Sequence, residues 1–92
     1  MGRFLYRFPR NAKAERNTVG DQILKLDEEL NEVAKAWACE CGSSNDRLIE
    51  EVLDLIQTAE GVLRKFDESD VLRCYWTVLK KCEKRGDYER AE

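Results

Sequence analysis

With 92 residues, 42% hydrophobic and 38% charged, one Pro and five Gly, the chain holds a single domain, lacks the turn residues of a many-stranded β fold and is too apolar for a disordered tail. A net charge of −3 argues against a nucleic acid polymer as partner, because that needs a broad basic surface. The charge is unevenly spread: residues 1–20 carry +4, residues 21–68 carry −8 and residues 69–92 carry +1.

Residues 1–17 read as an N-terminal arm, rich in aromatic residues and Arg up to Pro9 and in helix formers from Asn11 to Arg16. The arm, or a short helix in it, is expected to dock on a partner subunit. Residues 18–92 form the domain proper. From Thr18 to about Glu40, apolar residues at Ile23, Leu26, Leu30, Val33, Ala34 and Trp37 fall at helical spacing and define a first long helix. Cys41-Gly42-Ser43-Ser44-Asn45-Asp46 is a turn by composition, and Asn45 or Asp46 can cap the next helix. This second helix, from about Asp46 to Phe66, is expected to bury Leu48, Ile49, Val52, Leu55, Ile56, Ala59, Leu63 and Phe66. The short connection makes these two an antiparallel hairpin. After the turn Asp67-Glu68-Ser69-Asp70, the residues Val71, Leu72, Tyr75, Val78, Leu79 and Cys82 mark a third helix ending near Gly86.

The expected fold is therefore all-α, an antiparallel helical bundle. A domain this small buries only about 60% of its unfolded surface, so homo-oligomerisation is expected to complete it, as a homodimer or homotetramer. No apolar run approaches the length of a membrane span, and Arg3, Arg7 and Arg10 interrupt Phe4-Leu5-Tyr6, so no membrane association and no secretory leader are expected and the location is expected to be cytoplasmic.

The chain has no His, which removes Ser-His and Cys-His catalysis and imidazole metal sites. Any acid or base is a carboxylate, Lys or Tyr. The four cysteines, Cys39, Cys41, Cys74 and Cys82, lack the two-residue knuckle spacing of tetrahedral zinc and are expected to be free thiols acting as small hydrophobes.

Carboxylates are the chemistry that remains. The first helix carries Glu28-Glu29-Leu30-Asn31-Glu32 and the second Glu50-Glu51-Val52-Leu53-Asp54. At ~100° per residue, with each apolar stripe set to zero, Glu29 and Glu51 both lie near about −100° and Glu32 and Asp54 near about −160°. Equal offsets in an antiparallel hairpin put the four acids on one side. Two like charges ~5 Å apart repel by roughly 3 kcal/mol at an effective dielectric of 20, and a hard divalent ion, Mg²⁺ or Mn²⁺, relieves that repulsion with oxygen ligands alone. Acids at i and i+3 also occur on solvated helix faces, where Lys25 can pair with Glu29.

Glu28-Glu29-x-x-Glu32, eighteen intervening residues and then Glu51-x-x-Asp54 resemble the signature of the MazG-like all-α nucleoside triphosphate pyrophosphohydrolases, over about Gly20 to Gly86. Lys81-Cys82-Glu83-Lys84-Arg85-Gly86 is similar to the basic end that comes after the third helix in small members. The resemblance implies Mg²⁺-dependent cleavage of a nucleoside triphosphate between its α and β phosphates. It makes Glu29, Glu32, Glu51 and Asp54 the metal-binding catalytic acids, with Glu28 or Glu50 as further candidates for the general base. On the third helix Lys81 and Arg85 lie one turn apart on one flank, as a phosphate clamp requires, although basic residues at a helix C-terminus also simply complement its dipole. Trp37 and Trp76 are the candidates for stacking on a nucleobase, although Trp37, near the middle of its apolar stripe, reads more readily as a core residue.

Two other readings compete. Phosphoribosyl-ATP pyrophosphohydrolase is similar in size and acid pairs, but Leu55-Ile56-Gln57 stands where it has an aromatic-His pair. A non-catalytic helical interaction protein would carry the same acids as a solvated face.

Overall fold

The computed structural model describes residues 5–39 and 45–89. The expected turn at Cys41-Gly42-Ser43-Ser44, the proposed end of the first long helix at Glu40 and the arm residues before Leu5 lie outside them. Among the described residues there are four helices and no strand: α1 (Ala12–Arg16), α2 (Val19–Ala38), α3 (Asp46–Leu63) and α4 (Glu68–Lys84).

Local chemistry accounts for the helix ends. The Asn11 carboxamide oxygen accepts from the N–H groups of Lys13 and Ala14 at 3.0 and 3.1 Å, satisfying two donors that α1 leaves open. Thr18 Oγ1 does the same for the N–H of Asp21 at 3.1 Å at the start of α2. α3 begins after Asn45 and α4 after Asp67, neither with a side-chain cap bond to the helix; Ser69 Oγ instead donates to the Asp67 carboxylate at 2.5 Å. α4 stops at Gly86, whose φ of 76° is open to glycine at no steric cost. The N–H of Asp87 then reaches Cys82 O at 2.9 Å and that of Gly86 reaches Glu83 O at 3.0 Å, the paired bonds of a Schellman end.

α2 and α3 form the antiparallel hairpin. Gln22 meets Thr58 while Glu29 meets Glu51, so numbering rises on one helix as it falls on the other. Gln22 is 2% exposed; its amide accepts from Asn17 Nδ2 at 3.0 Å and donates to Thr58 O at 3.3 Å. Close approach at this end depends on Gly61, where a Cβ would sit 2.7 Å from Gln22 Nε2 and 3.2 Å from the Ala14 Cβ.

The described part of the arm packs against the end of α3 in its own chain. The Glu60 carboxylate, in a residue 8% exposed, accepts from the N–H groups of Arg7 at 2.9 Å and Phe8 at 3.1 Å. Arg64 donates to Phe8 O at 2.6 Å and lies 4.3 Å from the centre of the Tyr6 ring. Burial raises the Tyr6 pKa above its ordinary value, partly offset by Arg64. Lys65 ties the end of α1 to the same helix through Glu15 O and Asn17 O. Glu60→Gln, which keeps one acceptor and loses the charge, is expected to cost about 1–2 kcal/mol and to speed tryptic cleavage after Arg7 and Arg10, as monitored by limited proteolysis.

α4 behaves differently from the bundle helix expected. It leaves the hairpin after the turn and is anchored at Val71, the one buried apolar residue among those described. The stripe expected to be covered is partly open: Ile23, Leu30, Ile49, Val52, Leu63 and Phe66 are exposed, as are Leu72, Tyr75 and Val78 on α4, while Leu26, Val33, Leu48, Leu55, Ile56, Ala59 and Leu79 are half-buried. Trp37 is 77% exposed, which overturns its reading as a core residue. The physical reason is that two helices in one layer cover only the seam between them, and no third helix closes over it. α3 also ends at Leu63, so Phe66 belongs to the turn. Cys39 is disulfide-bonded, which corrects the free-thiol expectation there; Cys74 and Cys82 are free, and Cys41 lies outside the described residues. Among the described residues, no helix is long and apolar enough to cross a membrane.

Candidate metal centre

The antiparallel register brings three of the four predicted acids together. One carboxylate oxygen from each of Glu29, Glu51 and Asp54 lies within 4.8 Å of the others. The side chains of Glu29 and Glu51 are 14% and 20% exposed, and Asp54 is exposed. Glu51 and Asp54 stand one turn apart on α3 and Glu29 faces them from α2, so the group joins two helices.

Each of the sheltered acids has a basic neighbour on its own helix. Lys25 Nζ is 3.4 Å from Glu29 and 3.6 Å from Glu28. Its pKa is raised, chiefly by the bond to Glu29 and then, against some desolvation, by the charges of Glu29 and Glu28. Arg47 Nε lies 4.0 Å from Glu51. These are i,i+4 pairs whose bases are half-exposed, a type that contributes about 0.3–0.5 kcal/mol. They are too weak to hold the carboxylates against a divalent ion.

Glu32 stands apart from the trio. Its carboxylate pairs with Lys35 at 3.5 Å and its side chain is 42% exposed. Glu50 and Glu28 are exposed on the outer faces, and Glu28 shares Lys25 with Glu29. Lys81 and Arg85 are exposed near the end of α4, and neither lines the cavity beside the acids. Arg85 turns to Asp87 at 2.9 Å and to the Cys82 sulfur at 3.4 Å. Trp76 is 55% exposed and meets Tyr75 edge-on, with ring centres 5.8 Å apart; Trp37 and Trp76 line no part of that cavity either.

The cavity has a volume of about 570 Å³. Glu29 and Asp54 line it together with Lys25, Gln22, Gln57 and Thr58 of the hairpin and with Asn11, Lys13, Ala14, Arg16 and Asn17 of α1 and its flanks. Sequence reasoning missed Lys13 and Arg16. The signal was the +4 of residues 1–20 beside the −8 of the central region, but only the docking of α1 says which of those cations share a cavity with the acids.

No family model matches this chain, and no curated protein and no solved structure is significantly similar to it.

Proposed function

We propose that this protein is a Mg²⁺-dependent nucleoside triphosphate pyrophosphohydrolase of the MazG-like kind, cleaving a nucleoside triphosphate to the monophosphate and pyrophosphate. The observation that carries the reading is the convergence of Glu29, Glu51 and Asp54 from two helices at the edge of a polar cavity large enough for a polyphosphate. The donor set fits a hard ion. Ligand oxygens around Mg²⁺ are about 3 Å apart when adjacent and about 4.2 Å when opposite, so a trio spanning 4.8 Å needs only small side-chain shifts. Mn²⁺ accepts the same ligands.

In this reading Glu29, Glu51 and Asp54 hold the ion, and Glu32 joins them only by releasing Lys35. When bound, the ion neutralises phosphate charge and lowers the pKa of a water. The protein's own part is to position the phosphate chain and accept a proton. With no His in the chain, a carboxylate takes the proton, and Glu28 and Glu50 stand nearest in sequence to the trio. Gln22 and Asn17, bonded to each other, give the cavity a fixed polar floor.

Homo-oligomerisation belongs to the same proposal. Leu63, Phe66, Val71, Tyr75 and Val78 line an open groove of about 500 Å³ between the end of α3 and α4, an apolar surface of a kind that marks an association site. Light scattering at micromolar concentration is expected to give a dimer or tetramer, and a monomer would count against the burial argument.

The decisive experiment is pyrophosphate release from a panel of nucleoside triphosphates with and without Mg²⁺, using Glu51→Gln protein as the blank. Mg²⁺-dependent release that the variant lacks supports the reading, and the ranking of the panel begins to name the substrate. Release from phosphoribosyl-ATP alone would move the protein to that reaction. Lys25 and Arg47, each paired with one acid, favour the competing solvated-face reading of a non-catalytic helical protein, which predicts no release from any of them.

A further inference from the structure

We propose that the phosphate chain is gripped from α1, by Lys13 and Arg16, and not by the basic end of α4. This rests on the reading above for the identity of the ligand, a metal-bridged triphosphate, but its evidence is separate.

Among the described residues, eight of the fourteen Lys and Arg side chains are held internally, and of the six others Lys13 and Arg16 line the cavity beside the acids. Arg10 pairs with Glu15, Lys25 with Glu28 and Glu29, Lys35 with Glu32, Arg47 with Glu51, Arg73 with Asp70 and Arg85 with Asp87. Arg64 and Lys65 are spent on backbone carbonyls. The side chains of Lys13 and Arg16 make no ion pair or hydrogen bond among the described residues, yet both line the cavity that Glu29 and Asp54 line. They share the cavity with the acids without pairing with them.

α1 is held rigidly before any ligand arrives. Asn11 caps α1 and its Nδ2 donates to Gln57 at 3.3 Å. Asn17 bonds Gln22, Lys65 holds two carbonyls at the end of α1, and Ala14 rests against Gly61. Acids able to take a divalent ion and two unpaired cations lining one cavity suit a ligand that is anionic and metal-bound at once. A polyphosphate is such a ligand: its oxygens share the ion and leave their remaining charge to the cations. Preorganised cations cost the ligand little ordering on binding.

The test measures binding of inorganic tripolyphosphate with Mg²⁺, and of Mn²⁺ alone, by calorimetry on the full chain. Lys13→Ala with Arg16→Ala is compared with Lys81→Ala with Arg85→Ala. The α1 pair is expected to weaken tripolyphosphate by roughly tenfold per cation removed, about a hundredfold in all, with Mn²⁺ affinity and helical circular dichroism unchanged. The α4 pair is expected to change neither ligand by more than about twofold. Since Ala is the best helix former and neither α1 side chain makes a bond, the variant is expected to fold, and Lys13→Arg with Arg16→Lys is expected to restore affinity. Unchanged tripolyphosphate affinity in the α1 variant, or a larger loss in the α4 variant, overturns the proposal. If wild-type protein binds tripolyphosphate through α1 but no Mn²⁺, the grip stands and the pyrophosphohydrolase reading falls. If it binds Mn²⁺ but no tripolyphosphate, the grip falls and the metal centre stands.

Discussion

Glu51→Gln is expected to lower Mg²⁺-dependent pyrophosphate release by at least about a thousandfold, the several kcal/mol of transition-state stabilisation that a correctly held metal supplies. The substitution keeps the shape of the side chain and removes the charge that a hard cation needs. Its structural cost is small, because among the described residues the only ion pair that Glu51 makes is the 4.0 Å approach of Arg47, of a type contributing less than about 1 kcal/mol. Glu29, Glu51 and Asp54 crowd oxygens within 4.8 Å, which in the absence of metal is a repulsion of roughly 3 kcal/mol per pair at an effective dielectric of 20, before screening. Neutralising one of the three therefore raises the metal-free melting temperature slightly while abolishing the further rise on adding Mg²⁺. Differential scanning fluorimetry at matched ionic strength reads both effects. A variant that hydrolyses at the wild-type rate would remove this centre from the reaction.

The second large effect is structural. Gly61→Val is expected to destabilise the protein by about 3 kcal/mol, a fall of more than roughly 10 °C in a domain of this size. The new Cβ meets Gln22 Nε2 at 2.7 Å and the Ala14 Cβ at 3.2 Å. A long amide can usually swing away from such a contact, but Gln22 is 2% exposed and bonded to Asn17 and to Thr58 O, so moving it breaks both bonds in the floor of the cavity. Ala14 retreats only if α1 lifts off α3. Lys13 and Arg16 then lose their place beside the acids, and tripolyphosphate affinity is expected to fall with stability. Gly20→Val is the control: its nearest neighbour is Thr18 Oγ1 at 3.9 Å, and a melting temperature within a few degrees of wild type is expected. Equal losses in the two variants would show that close packing of α1 and α2 on α3 is not the cause.

Everything governed by neighbours along the chain was legible in the sequence: the three long helices, their apolar periodicity, the turn at Asp67, the stop at Gly86 and the matched angular offset of the two acid motifs. That offset was enough to anticipate Glu29, Glu51 and Asp54 on one side of a hairpin, because helix geometry and antiparallel direction suffice for it. Local rules do not decide which groups win each contact. Glu32 shares its offset with Asp54, yet its carboxylate lies outside the trio, 3.5 Å from Lys35 one turn along its own helix. Lys81 and Arg85 have the spacing of a phosphate clamp, but α4 leaves the hairpin that carries the acids and neither residue lines their cavity. Lys13 and Arg16 read as part of an arm or short helix with no assigned place on the hairpin, and contacts at Asn11, Gly61 and Gln22 fix where α1 sits. Periodicity marks a face as apolar but does not say what covers it, so the open stripe on α3 and α4 was indistinguishable from a core. The helices and the side on which the acids cluster were thus determined by the sequence alone, because they depend on separations of three to seven residues. Which cations share a cavity with those acids and how exposed the apolar faces are were decided by tertiary structure, because they depend on contacts between residues 36 to 50 positions apart that no local rule encodes.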